Sequence, residues 1–374
     1  MKDLQQGTFQ QEKLQFEQWL DQRGRAGKQK KLERQQAVFK IPVVVHVIHN
    51  GEAIGSGTNI SDAQVLSQIS VLNKDYSRTN ADALMTPAEF LPLAGSMDVE
   101  FVLAKQDPEG LATTGIVRVQ GTQASWSIND NYELKALSYW PAEDYLNIWV
   151  TNLSGVLGYA QFPVSNLPGL ETSSDNRLTD GVVIAYNAFG SEDDGPFVLT
   201  SKYRKGRTTT HEVAHFLGLR HIWGDDDGQC GGTDFVNDTP NQGSETLSCP
   251  TTPLVSCNVS TMFQNYLDYT DDACMNLFTM EQVGRMTTVL ENSPRRASLL
   301  TSPGLSDPLP IANDLGIRAI ISPLDGECDA LVTPIIEVRN YGSNLVSSSR
   351  ITLALDGVLI ETKNFTIPPL SPLQ

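Results

Sequence analysis

Residues 211–221 read HEVAHFLGLRH and hold three of the five histidines in a chain of 374 residues. His211 and His215 are four apart, so on a helix they share one face, and two imidazoles placed in that way can grip one metal ion. Glu212 stands beside the first of them, where its carboxylate can reach a water at the metal without occupying a coordination position. Gly218 suits the left-handed turn with which a helix ends. Only past such a turn can His221 swing back as a third ligand. Three imidazoles leave a fourth position open, which is the arrangement of a catalytic zinc site. Neutral imidazole also suits zinc better than calcium or magnesium. The chemistry expected is hydrolysis by a metal-activated water, with Glu212 as general base. A histidine-rich surface or a purely structural zinc would have no use for that glutamate. His46 and His49 lie in a core-type strand and are read as structural.

Such a helix needs a rigid support. FKIPVVVHVIHN (39–50) is rich in β-branched residues, the mark of a buried strand. Ser61 and Gln64 form a capping-box signature, and Val65, Ile69 and Leu72 make an apolar helical stripe after it. Further strands are expected over 99–106, 146–153, 157–163 and 181–189. Together these predict an α/β (α+β) catalytic domain with a mixed twisted sheet, an active-site helix and a loop-rich lower subdomain after 224. A closing helix follows at 278–290, announced by the capping box Thr279/Gln282 and the staple pair Phe278/Val283. TSPGLSDPLP (301–310) reads as a linker, and the short alternating strands beyond it as part of a β-sandwich. The expected organisation is an arm over 1–36, a catalytic domain over 37–302 and a truncated β-sandwich accessory module over 303–374.

The net charge of −17 argues against nucleic acid or an anionic membrane surface as the main partner. No apolar run reaches the ~18 residues that span a bilayer. Residues 1–36 differ from the rest: ten are glutamine, and eight Lys or Arg stand against five Asp or Glu. A helix is expected from Gln10 to Asp21, with Phe16, Trp19 and Leu20 as a short apolar stripe. The basic stretch RGRAGKQKK after it is open to proteases, so the arm reads as prosegment-like. It contains no signal-peptide core, and both ends of the chain read as trimmed. Four of the five cysteines, Cys230, Cys249, Cys257 and Cys274, fall in the loop-rich stretch, while Cys328 stands apart. The four read as two disulfides formed in an oxidising compartment, with three connectivities open.

HEVAHFLGLRH, taken with HIWG, DFVNDTPNQ, NYLDYTDDACMNLFTMEQVGRM and IPVVVHVIHNG, is similar to the pappalysin family of metzincin metallopeptidases. The resemblance spans residues 40–292 and implies a secreted zinc endopeptidase acting on proteins or peptides. By match, His211, His215 and His221 are the zinc ligands and Glu212 is the general base. Tyr269 matches the tyrosine that hydrogen-bonds the oxyanion of the tetrahedral intermediate. The family's disulfides match Cys230–Cys257 and Cys249–Cys274. Its structural calcium matches Asp234, the Asn237 carbonyl and Thr239, hard oxygen donors in an acidic loop. The family favours a basic residue after the scissile bond, for which Asp271 and Asp272 are pocket candidates. LGYAQFP is the expected edge strand on which an extended substrate lies. Two departures stand out: Leu267 replaces a methionine of similar volume, and no cysteine precedes Cys230, so the arm has no thiol with which to cap zinc. If the arm acts as an inhibitor, a carboxylate such as Asp3 or Asp21 is the candidate for the fourth zinc position. The competing reading, of another class, is a catalytically inactive peptidase-like binding or adhesion protein; the intact Glu212 argues against it.

Overall fold

A β-branched run makes β1 (Phe39–His49) the centre of a six-stranded sheet. The computed structural model describes residues 13–25, 38–165, 176–225, 228–250, 253–308, 311–322, 333–355 and 358–372. One edge of β1 is shared by β2 (Val99–Leu103) along its first half and β3 (Ile116–Gln120) along its second, both parallel to it. β4 (Leu146–Thr151) pairs in parallel with the other edge. β5 (Gly158–Ala160) is antiparallel to β6 (Val182–Ala185), which itself runs parallel to β4. The sheet is therefore mixed, and β5 is its terminal strand. The apolar pattern of the sequence does not single out β3, because Arg118 and Gln120 break its run.

Side chains alternate between the two faces of a strand, and the two cores follow that period. Val43, Val45, Val47, Ile148, Val150, Val182 and Ile184 face the helices. There they meet Val65, Ile69 and Leu72 of α2 (Asp62–Tyr76), Val213 and Phe216 of α4 (Arg207–Phe216), and Met286 and Leu290 of α5 (Met280–Asn292). Ile48, Trp149 and Val183 face the other way, toward Trp126 and Leu134, the latter on α3 (Asn131–Ala136). His46 lies on this second face, fully buried and stacked on Trp149, with its ring nitrogens bonded to Ser138 Oγ and Asn147 Oδ1 at 2.7 and 2.9 Å. Burial holds its pKa down at about 4. α1, residues 13–25, buries Phe16, Trp19 and Leu20 against Val289 and Phe162.

The two capping boxes part ways. At α5 both halves form: Thr279 N donates to Gln282 Oε1 at 2.9 Å and Gln282 N to Thr279 Oγ1 at 3.2 Å. At α2 only Ser61 caps, accepting from Gln64 N at 3.2 Å. The Gln64 side chain instead donates to the carbonyls of Phe189 and Tyr186 at 2.8 and 3.2 Å. Buried carbonyls left without donors are costly, and they claim the amide that the box would use.

Contacts divide the chain into two units: Met1–Leu103 with Ile116–Pro303, and Ala104–Gly115 with Gly304–Gln374. In the second, the backbone N–H groups of Lys105 and Gln106 donate to the Gly304 carbonyl at 2.8 and 3.3 Å. β7 (Leu315–Ser322) pairs antiparallel with β8 (Ile335–Asn340), and β9 (Val346–Leu355) with β10 (Val358–Leu370). Among the described residues these are two separate pairs. Cys328 lies outside the described residues.

Candidate active site

α4 begins on Gly206, whose φ of +76° only glycine adopts without strain. Its first turn is pinned by buried charge. Arg207 pairs with Asp75, donates to Asp82 at 2.9 and 3.0 Å, and donates to the Tyr266 hydroxyl at 2.7 Å. Thr210 Oγ1 donates to the other Asp75 oxygen at 2.7 Å. Asp272 Oδ2 accepts the backbone N–H of Lys205 and of Arg207 at 2.8 and 3.2 Å, which places a carboxylate against the positive end of the helix. The helix ends at Gly218 (φ +91°), where Gly218 N donates to His215 O and Leu219 N to Ala214 O, each at 2.9 Å. A Cβ on Gly218 would lie 2.8 Å from Val289 Cγ2, so both the turn and the packing require glycine. Ile222 N then donates to the Leu267 carbonyl at 3.4 Å, which brings the returning chain back beneath the helix. Leu267 itself is fully buried in the main core.

The structure brings His211, His215 and His221 together, with their Nε2 atoms 3.0, 3.1 and 3.2 Å apart. Each Nδ1 is already committed: His211 to the Tyr266 carbonyl at 2.7 Å, His215 to the Leu219 carbonyl at 2.8 Å and His221 to Asp225 Oδ1 at 2.7 Å. Carbonyl and carboxylate oxygens only accept, so these nitrogens carry the protons and the three Nε2 atoms present lone pairs to one another. Three converging lone pairs repel unless a cation sits among them. Tetrahedral zinc, with bonds of about 2.0–2.1 Å, sets its ligand nitrogens about 3.3 Å apart, close to what is seen. Burial, reinforced by the neighbouring rings, pushes His215 down to about 3 and His211 well below the usual value, so both are neutral at pH 7, as ligands must be. Among the described residues this is the one cluster of His, Cys, Asp or Glu side chains with metal-binding spacing.

Two groups hold His221 that its sequence motif does not announce. Trp223 stacks on the ring at 4.2 Å with an interplanar angle of 6°, and Asp225 fixes its tautomer. A carboxylate behind a ligand histidine raises its basicity, and its loss typically weakens metal binding ten- to a hundredfold. Asp225→Asn is therefore expected to weaken zinc binding by about tenfold or more, read by competition with a chromophoric chelator. Unchanged affinity would remove Asp225 from the site.

Glu212 is 8% exposed, and burial alone pushes its carboxyl up to about 8, while a cation at the Nε2 cluster would act in the opposite direction. It lies beneath the terminal strand: a Cβ on Gly158 would stand 2.7 Å from Glu212 Cγ and 3.0 Å from its Oε1. Any side chain at 158 would displace this carboxylate. The Tyr269 ring sits 5.0 Å from that of His221, 5.6 Å from His211 and 4.9 Å from Trp223, and is 43% exposed. Burial, then the Glu212 charge, pushes its hydroxyl up to about 12, so it stays protonated and able to donate.

Other expected residues are placed elsewhere. Cys230 pairs with Cys257 and Cys249 with Cys274, at Cα separations of 5.6 and 5.9 Å. Asp234 is buried, accepts from Thr239 Oγ1 at 2.8 Å and from Val236 N at 3.3 Å, and burial pushes it up to about 7. Asn237 donates its backbone N–H and its amide to Glu281 at 2.7 and 3.0 Å. Asp271 pairs with Lys202 at 3.5 Å. Asp272 is 1% exposed and spent on the start of α4, so it corrects the expectation of a pocket residue: a carboxylate holding two backbone N–H groups has no face for substrate.

A family profile described as pregnancy-associated plasma protein-A matches residues 130–291. An extracellular metalloprotease of Arthroderma benhamiae is 31% identical over 255 residues, covering 67% of this chain and 77% of its own length. Another, from Sordaria macrospora, is 30% identical over 276 residues, with 71% and 79% covered. Mature mirolysin of Tannerella forsythia, solved with a cleaved peptide, superposes with a TM-score of 0.63 at 46% identity, over 71% of this chain and 97% of that one. A promirolysin mutant from the same organism gives 0.67 at 43% identity, over 78% and 91%.

Proposed function

Since the chain belongs to the pappalysin family of metallopeptidases and is a zinc endopeptidase, we propose that His211, His215 and His221 hold the zinc and that Glu212 and Tyr269 act beside it. The observation that carries this is the triangle of Nε2 lone pairs with every Nδ1 tied down. A zinc ion held there supplies positive charge that acidifies water and polarises the scissile carbonyl. Glu212 takes one proton from the attacking water at a carboxylate oxygen and returns it to the leaving nitrogen as the C–N bond breaks. The Tyr269 hydroxyl donates to the carbonyl oxygen as negative charge develops there. Burial of Glu212 beneath β5 keeps bulk water from competing for its proton.

The substrate is a protein or peptide. Extended chain adds to the outer edge of β5, whose other side is taken by β6. Gly158 and Ala160 face α4, and Tyr159 faces the opposite core. A basic residue after the scissile bond is favoured, by analogy with the family, with Asp271 as the remaining candidate for that preference. Calcium at Asp234, the Asn237 carbonyl and Thr239 would restore full charge to a carboxylate that burial pushes toward neutrality. Export fits the two disulfides and the relatives named extracellular metalloproteases. Among the described residues no helix is long and apolar enough to cross a membrane. Residues 1–36 act as a prosegment, residues 37–302 as the peptidase domain and residues 303–374 as part of a β-sandwich; the likeness to promirolysin supports the first of these. Peptide-library cleavage by the full chain tests the reading. Activity abolished by 1,10-phenanthroline and restored by added zinc is expected; hydrolysis indifferent to the chelator would refute it.

A further inference from the structure

α1 is fastened to the body by one buried carboxylate. Glu17 Oε1 accepts from Arg220 Nε at 3.0 Å and from Arg285 Nη2 at 2.8 Å, and Oε2 pairs with Arg285 Nη1. The side chains of Glu17, Arg220 and Arg285 are 9, 16 and 6% exposed. Apolar contact flanks the pair: Phe16 meets Phe162 at 5.5 Å between ring centroids, and the Arg220 guanidinium lies 4.5 Å over the Phe162 ring. Two sequestered guanidiniums need an anion, because a buried cation without one is strongly destabilising. The nearby Asp225 is committed to His221.

Both arginines belong to the catalytic frame. Arg220 precedes His221, and Arg285 Nε donates at 2.7 Å to the carbonyl of Gly218, in the turn between the second and third histidines. Phe162 lies two residues past Ala160, the last residue of β5. Phe162 therefore stands between the end of β5 and the arginine pair, with the Arg220 guanidinium over its ring. The arm presents there an aromatic residue followed by a glutamate, Phe16–Glu17.

We propose that Arg220 and Arg285 form a carboxylate-binding subsite of the substrate cleft. Glu17 of the chain's own arm fills it, and an acidic side chain of a substrate fills it once the arm is displaced. The subsite rests on the peptidase reading for its substrate half. It takes Glu or Asp at a position outside the scissile pair, next to an aromatic residue, and Glu17 fills it in cis from the helix α1.

The test uses the full-length Glu17→Gln chain, in which the arginines have lost their resident carboxylate. Two labelled peptides of sequence 13–25 are compared, one with Glu and one with Gln at the place of Glu17. Fluorescence anisotropy is expected to show the glutamate peptide binding about ten- to a hundredfold tighter, the range for hydrogen bonds to a charged group. Adding Arg220→Gln should bring the two peptides together, and Arg220→Lys, which keeps the charge, should restore part of the difference. Equal affinities in Glu17→Gln, or a difference that survives Arg220→Gln, overturn the subsite. Cleavage profiling with the same Glu17→Gln chain is expected to enrich Glu and Asp over Gln and Asn at one position, and to lose the enrichment with Arg220→Gln. Cleavage without any acidic preference overturns the substrate half. A chain that binds the glutamate peptide selectively yet cuts nothing supports the carboxylate site and overturns the peptidase reading instead.

Discussion

Replacing Glu212 by glutamine is expected to lower kcat for peptide hydrolysis by about two to four orders of magnitude, the range for loss of a positioned general base. The amide has the shape of the carboxylate and fits the space that Gly158 leaves beneath β5, so packing is preserved. It cannot take a proton from water at neutral pH. Its position between the first two histidines gives it no role in holding the metal, since the Nε2 atoms of His211, His215 and His221 converge without it. The expected signature is thus a loss in kcat with zinc content and thermal stability unchanged. A loss smaller than tenfold would mean that some other group moves the proton.

Arg207→Gln should have the largest effect on stability. The arginine is buried among Asp75, Asp82 and the Tyr266 hydroxyl, and removing it leaves two carboxylates facing one another without a counter-charge. Breaking one partner out of a buried ion pair typically costs about 3–5 kcal/mol. For a domain of this size that is a fall in Tm on the order of 10 °C, measurable by calorimetry. The damage should also reach the metal, because the Tyr266 whose hydroxyl Arg207 holds is the residue whose carbonyl orients His211. The exposed Lys202–Asp271 pair offers the contrast: Lys202→Ala is expected to shift stability by no more than about 1 kcal/mol. A Tm for Arg207→Gln within 2 °C of wild type would show that the network is not what seats α4.

The histidine motif was legible because its geometry is local. Helical period puts His211 and His215 on one face, and the need for a tight turn makes Gly218 readable before any fold is known. The strands β1, β2, β4 and β6 were legible as apolar, β-branched runs; in β3 charged and polar residues interrupt the pattern, and β5 holds no β-branched residue. What holds the site in place was not. Arg207 meets Asp75 across 132 residues and Asp82 across 125, and Arg285 meets Glu17 across 268. No spacing rule covers such distances, since they are fixed only when the sheet and helices pack. Asp225 had a faint local signal, four residues after His221, but it lies among consecutive aspartates that read as solvated loop. The acidic pair 271–272 misled in the opposite direction: Asp272 reads as a pocket carboxylate until the start of α4 is seen resting on it.

The measurement that bears most directly on the site is zinc content by mass spectrometry, on wild type, Glu212→Gln and His215→Ala purified side by side. One zinc per chain is expected in the first two, and at most a small fraction of one in the third. Stoichiometric zinc retained by His215→Ala, or a folded wild type that takes up none when zinc is supplied, would contradict a metal centre built from these three imidazoles.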